Sequence, residues 1–226
     1  MPEGGTCLLI GNSRWHWATR TASGWHFDHT IPDPARLDGI DLTRWAAVGA
    51  VPDHGALTGS KQLDLTHVPL QGMPPWLGVD RALAGWAAWR AAAPVPPGPG
   101  VIVADAGTVL SLTLVTADGS FAGGQLAAGL RLQLTAMAAG TRDLPPTDGL
   151  DPWPDQLFPQ ETLAAMQQGC LHALLGVLLE AQRHCNWPLW ICGGDAPLLI
   201  NALDQRGIAA VHAPDLVMQG MVDLLS

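Results

Sequence analysis

Lysine is almost missing from this 226-residue chain, and Lys61 is the only one. It stands in no glycine-rich loop. A phosphate loop of the Gly-Lys-Ser/Thr kind, which needs a lysine to reach the β- and γ-phosphates, is therefore excluded. Charge of either sign is sparse at 14% of residues, and the balance is acidic, with a net charge of −9. No basic stripe exists to neutralise a phosphate backbone, so nucleic acid is excluded as a partner. The four cysteines, Cys7, Cys170, Cys185 and Cys192, form no C-x-x-C pair, and three lie in apolar stretches. They read as buried, reduced thiols of a cytosolic protein. Eight histidines are present, at no spacing that suggests a zinc site. The N-terminus has no basic region or cleavage signal. The longest apolar stretch, Leu163 to Ala181, is interrupted by Gln167, Gln168 and His172. It reads as a packed helix, not a membrane span. The expectation is a cytoplasmic protein with no membrane partner.

Hydrophobic residues are plentiful, at 48%. The chain is globular and long enough for one large domain or two of about 100 residues each. Its most informative stretch is Val101 to Gly129. A β-branched run at 101–103 leads into Asp105-Ala-Gly107-Thr108, and a second apolar run covers 109–115. Asp118-Gly119 is a hairpin turn signal. A third segment then ends at Gly123-Gly124, and Gly129 opens a helix. Glycines at strand ends let a backbone approach a ligand, and free N–H groups there cradle phosphate. The same glycines would also serve as plain turns of a β-meander. Residues 6–30 repeat the order strand, glycine turn, strand, glycine turn, strand, with turns at Gly11-Asn12-Ser13 and Ser23-Gly24. Identity between the two stretches is low, so the repeat is architectural. The proline-rich segment Ala93 to Gly100 is the natural linker. The expected domains are residues 1–97 and 98–226.

Elsewhere, Pro32 to Leu37 is expected to start a short helix, Ala46 to Val51 to form a strand ending at Pro52, and Leu63 to Leu70 to form another. The alanine-rich run 82–93 is a helix, with Asp80 and Arg81 at its start. A carboxylate is favoured there by the helix dipole, whereas an arginine is not and needs a partner. Helices are also expected at 130–139, 161–184, 196–205 and 216–225, with strands at 189–192 and around Val211. Gly193-Gly194-Asp195, between a strand and a helix N-terminus, suits a nucleotide.

Six motifs then stand in order: GNS at 11–13, LGVDR at 77–81, DAGT at 105–108, GG-x4-G at 123–129, GT-x2-LP at 140–145 and GGDA at 193–196. Each is weak alone, but together they resemble the type III pantothenate kinases over almost the whole chain. The resemblance implies an α/β fold of two ribonuclease H-like domains of duplicated topology flanking a central cleft, as in the acetate and sugar kinase, Hsc70 and actin superfamily. It implies a homodimer that phosphorylates pantothenate from ATP, the first step of coenzyme A synthesis, with Mg²⁺ and a monovalent cation, K⁺ or NH₄⁺. Asp80 would be the general base for the acceptor hydroxyl. Arg81 would hold the pantothenate carboxylate, with Gly78, Val79 and Gln71 around the substrate and Thr162 reaching it from the partner subunit's side. Gly11, Asn12, Ser13 and Arg14 resemble the first phosphate loop, and Gly107 and Thr108 the second. Gly193, Gly194 and Asp195 resemble the adenosine-side loop, and Asp105 the cation-binding aspartate. Two departures stand out. The first loop usually begins with an aspartate, where this chain has Leu9. A tyrosine usually precedes LGVDR, where this chain has Gln71 and no tyrosine at all. The alternatives are a catalytically weak family member acting as an accessory or regulatory binding protein, or a kinase of another small acceptor.

Overall fold

The computed structural model describes residues 5–92, 100–147 and 153–225. The chain divides into two compact units. The first comprises Met1–Gly98, Val115–Ala122 and Asp215–Ser226, and the second comprises Pro99–Leu114 and Gly123–Pro214. Most of the proline-rich linker, 93–99, lies outside the described residues.

In the first unit, β1 (Thr6–Ile10), β2 (Trp15–Thr21) and β3 (Gly24–Thr30) form an antiparallel meander. The strand β4 (Leu42–Ala47) then joins the free side of β1 in parallel, giving the order β3-β2-β1-β4. Alternation splits the side chains between two faces. Leu8, Ile10, Trp15, Trp17 and Trp45 build one core with Leu37 and Leu42. Two of these indoles bond within the unit: Trp17 Nε1 donates to Thr30 Oγ1 at 3.1 Å and Trp45 Nε1 to Thr58 O at 2.9 Å. Cys7 and Leu9 occupy the other face and are also buried. Helix α1 (Val79–Ala92) packs against β4.

Two strand expectations in this unit are corrected. The strand expected at 46–51 lies earlier, at 42–47. Val48 N and Gly49 N both donate to Ile10 O, at 2.9 and 3.0 Å, and two donors on one carbonyl end the ladder. Residues 63–70 form no strand either. Asp64 Oδ1 accepts from Thr66 N at 2.9 Å and closes a single 3₁₀ turn at Leu65–His67. Such local side-chain bonds compete with sheet pairing. Residues 34–37 are likewise one 3₁₀ turn, capped by Asp33.

The second unit repeats the plan. β5 (Val101–Ala106), β6 (Val109–Val115) and β7 (Phe121–Ala128) are successive neighbours joined by short turns. After α2 (Leu130–Gly140) and α3 (Thr162–Cys185), β8 (Leu189–Cys192) joins the free side of β5 in parallel. Helix α4 (Ala196–Asp204) and the two-residue β9 (Val211–His212) complete the order β7-β6-β5-β8-β9. A meander whose first strand gains a parallel neighbour thus occurs twice, so the duplicated topology read from the glycine turns is present.

Helix α3 is long and apolar enough to cross a membrane by length and composition alone. However, its Met166, Cys170, Leu171, Leu174, Leu175 and Leu178 lie in the core with Ile102, Leu112 and Ile191 of the sheet. It is the core helix of this unit. The tip of the β6–β7 hairpin belongs to the first unit. There Gly119, at φ +81°, lies against the Trp89 ring, whose Nε1 donates to Ala117 O at 3.1 Å. Helix α5 (Leu216–Asp223) returns to the first unit and packs along α1.

Candidate active site

The C-terminal end of β5 organises the second unit's candidate residues. Asp105 is half-buried, and the chain turns at Gly107-Thr108 into β6. Two other segments close over this turn. Gly129 N donates to Thr108 O at 2.9 Å, and any β-carbon at Gly129 would collide with Gly107 O. Gly193, at φ +90°, crosses the strand end so closely that a β-carbon would sit 2.5 Å from Ala106 O and 2.6 Å from Asp105 Oδ1. Only glycine tolerates both that backbone and that approach. Asp195 N then donates to Ala106 O at 2.9 Å, fixing the loop that leads into α4. Asp105, Gly107, Thr108, Gly193, Gly194 and Asp195 are therefore drawn together by main-chain bonds. Burial pushes the Asp195 carboxyl up, and the charge of Arg131, at the start of α2, pulls it partly back. Arg131 has little to mark it in the sequence. Its only signal was a cation two residues after the Gly129 turn.

In the first unit, Gly11 N donates to Arg14 O at 3.0 Å, closing the loop that carries the exposed Asn12, Ser13 and Arg14. Gly49 lies directly on this loop, and a β-carbon there would strike Gly11 O. The neighbouring Val48 side chain packs toward Gly78, which leads into α1. The segment 48–49 thus stands between the Gly11 loop and the Gly78–Arg81 corner. Nothing in the sequence distinguished Gly49 from an ordinary turn glycine.

At that corner, Asp80 Oδ1 accepts from Arg81 N at 2.8 Å, and the carboxyl group folds back against Gly78, which has no side chain to displace it. Burial pushes the Asp80 carboxyl above the usual carboxylate range, while the Arg81 N–H and guanidinium pull it partly down. Burial likewise lowers Arg81 from its ordinary value, and Asp80 opposes that shift. A carboxylate whose proton affinity is raised by burial is a stronger base, which suits taking a proton from an alcohol.

Gln71 and Thr162 are placed differently. Gln71 is exposed, and its backbone pairs with the hairpin tip, donating to Gly119 O at 3.0 Å and accepting from Phe121 N at 2.8 Å. Thr162 is the exposed first residue of α3. The aspartate expected at the first loop is replaced by Leu9, which is 3% exposed near the C-terminal end of β1, between His16 and Ala46 of the neighbouring strands.

Comparison with known proteins points to a family. The protein-family description "Type III pantothenate kinase" matches residues 59–183. A type III pantothenate kinase of Synechococcus sp. (strain JA-2-3B'a(2-13)) is 34% identical over 228 residues, covering 94% of this chain and 85% of the relative. Among solved structures, a putative Baf family transcriptional activator from Campylobacter jejuni superposes with a TM-score of 0.63 at 18% identity. That match covers 97% of this chain and 96% of the other. A putative 2-dehydro-3-deoxygalactonokinase from Sinorhizobium meliloti superposes with a TM-score of 0.58 at 14% identity, covering 98% and 95%. At these identities the structures speak for the fold alone, an α/β fold in which one sheet plan occurs twice. Sequence similarity over nearly the full length goes further: the chain belongs to the type III pantothenate kinase family.

Proposed function

We propose that the protein transfers the γ-phosphoryl group of ATP to the primary hydroxyl of pantothenate, forming 4'-phosphopantothenate, the first step of coenzyme A synthesis. The observation that carries this reading is the Asp80–Arg81 pair, a carboxyl group raised by burial at the N-terminus of α1 with a cation beside it. In phosphoryl transfer the protein positions the reactants and neutralises charge. Asp80 takes the hydroxyl proton, and Arg81 binds the substrate carboxylate, a task suited to its planar donor fork. Gly78, Val79 and Gln71 line the acceptor side. Main-chain N–H groups of Gly11, Asn12 and Ser13, with Arg14, and of Gly107 and Thr108 hold the phosphates. Gly193, Gly194 and Asp195 hold the adenosine side. The proposed domains, 1–97 and 98–226, each carry one phosphate loop.

The residues at β5 fit a monovalent cation. Asp105 Oδ1 and Ala106 O both face the space that a side chain at Gly193 would fill. One carboxylate and one carbonyl oxygen are hard donors suited to K⁺ or NH₄⁺. Such a cation would supply positive charge beside the nucleotide. Among the described residues no three His, Cys, Asp or Glu side chains gather to hold a metal. Mg²⁺ would then ride chiefly on the nucleotide phosphates, as it commonly does in kinases. Exposed apolar side chains in the second unit, Leu126, Leu132, Leu157, Phe158 and Leu163, support a homodimer that brings Thr162 to the partner's substrate. A monomeric mass in light scattering at micromolar concentration would remove that role of Thr162. The enzyme is assigned to the cytoplasm.

The test is ADP release from ATP with Mg²⁺ and K⁺, with and without pantothenate. Release that depends on pantothenate is expected. Arg81→Ala is expected to raise KM for pantothenate by about 10²-fold, the loss of a charged hydrogen-bonded partner. An analogue lacking the carboxylate should lose far less. The buried Leu9 favours a second reading, an accessory binding protein. Nucleotide binding without ADP release would support it.

A further inference from the structure

Three side chains outside the proposed mechanism form one hydrogen-bonded chain in the first unit. His16 on β2 and His29 on β3 are directly paired across the strands. Their Nδ1 atoms are 2.7 Å apart and their rings meet edge to face, with centroids at 4.8 Å. On the far side, His29 Nε2 lies 2.8 Å from Asp215 Oδ1, at the N-cap of α5. The other end of the chain, His16 Nε2, abuts the Gly11 loop, 3.5 Å from where a β-carbon on Gly11 would stand.

The order of donors fixes what His16 presents. An ionised carboxylate only accepts, so His29 Nε2 carries a hydrogen toward Asp215. With both rings neutral, His29 Nδ1 is then a lone pair. His16 Nδ1–H donates to it, and His16 Nε2 offers a lone pair to the loop. One added proton reverses this. It binds at His16 Nε2, and the hydrogen between the two Nδ1 atoms passes to His29. His29 becomes the imidazolium facing Asp215, and His16 is left neutral with an Nε2–H donor. We propose that His16 contacts the nucleotide phosphates through Nε2–H, and that His29 and Asp215 are positioning residues which let the bound anion draw in that proton. The inference rests on the Gly11–Arg14 loop being a phosphate loop.

The surroundings suit such a pair. Burial, the neighbouring His29 and Arg14 push His16 down to about 4, with Asp215 opposing, so His16 does not readily hold a charge itself. These are the charged groups that face His16 from β3, from the loop and from α5. The other carboxylate of α5, Asp223, lies 3.9 Å from Arg90 of α1.

The experiment uses the full chain labelled with ¹⁵N-histidine. Calorimetry first asks whether ATP with Mg²⁺ binds. Nitrogen–proton spectra then read the His16 tautomer with and without nucleotide. The expected result is a hydrogen on Nδ1 in the free protein and on Nε2 in the complex. His16→Ala is expected to weaken ATP binding about tenfold. His16→Gln, whose amide nitrogen can stand in for Nε2, is expected to restore most of it, with less dependence on pH than the wild type. The titration of ATP itself is common to all variants and drops out of the comparison. If ATP binds and the His16 signals keep hydrogen on Nδ1, this inference falls while the phosphate-loop reading stands. If ATP does not bind, both fall. The spectra need only the wild type, so the result holds even if a variant fails to fold.

Discussion

Asp80→Asn is expected to lower turnover by about 10²–10⁴-fold, the range typical for loss of a general base. Nucleotide affinity should stay nearly unchanged. The substitution keeps the shape of the side chain, and the amide oxygen can still accept from Arg81 N, which Asp80 engages at 2.8 Å. It removes only the capacity to take a proton. Single-turnover rates with ATP and pantothenate, read beside calorimetric binding of ATP, separate the two effects. The pH profile adds a check on sign. Burial raises the Asp80 carboxyl, and the base works only when ionised. The wild-type rate should therefore fall on the acid side at a higher pH than an ordinary carboxylate would give, and that limb should vanish in the variant. Full ATP-dependent phosphorylation of pantothenate by Asp80→Asn would refute the mechanism.

Leu9→Asp is expected to destabilise the protein by about 3–5 kcal/mol, the cost of an unpaired buried charge. For a chain of this size that corresponds to a melting temperature lower by roughly 6–20 °C. Leu9 is 3% exposed, on the same face as buried Cys7, with His16 and Ala46 as its strand neighbours. Burial would raise the introduced carboxyl in the folded state above its unfolded value. Such a group favours folding most below the unfolded value of about 4 and loses that contribution as pH rises through its folded value. The deficit against the wild type should accordingly be small near pH 4 and grow toward neutrality. A variant as stable as the wild type at pH 7, with a lower Mg²⁺ requirement, would show instead that the pocket still accommodates the family's usual carboxylate.

What could be read from the sequence was local. Asp105 before a Gly-Thr turn and Asp80-Arg81 at a helix start are short-range patterns, and each stands where its pattern put it, whereas Gly123-Gly124, expected to end a strand, lie inside β7, which runs on to Ala128. Strand β4 was misplaced because Thr43 and Arg44 interrupt its apolar character, while 48–51 continue it beyond the last ladder bond. Residues 63–70 have the hydrophobicity of a strand, but the Asp64 cap turns the chain into a 3₁₀ turn instead. Gly49, His16 and His29 gain meaning only from strand register, which one sequence does not carry. Asp215 joins His29 across 186 residues, beyond the reach of any spacing argument.

The return of α5 to the first unit has a consequence for synthesis. Gly220 lets α5 approach so closely that a β-carbon there would strike Leu83 O of α1, and Ala82, Leu83 and Met221 are all fully buried. Residues 1–98 emerging from a ribosome have neither that helix nor the hairpin tip at 115–122 to cover α1. Domains often fold in the order they are made, but here the first unit to appear is the later one to close. Until α5 has been made, the side of α1 that it covers stays open to solvent, while residues 99–114 and 123–214 are already free to collapse on their own core.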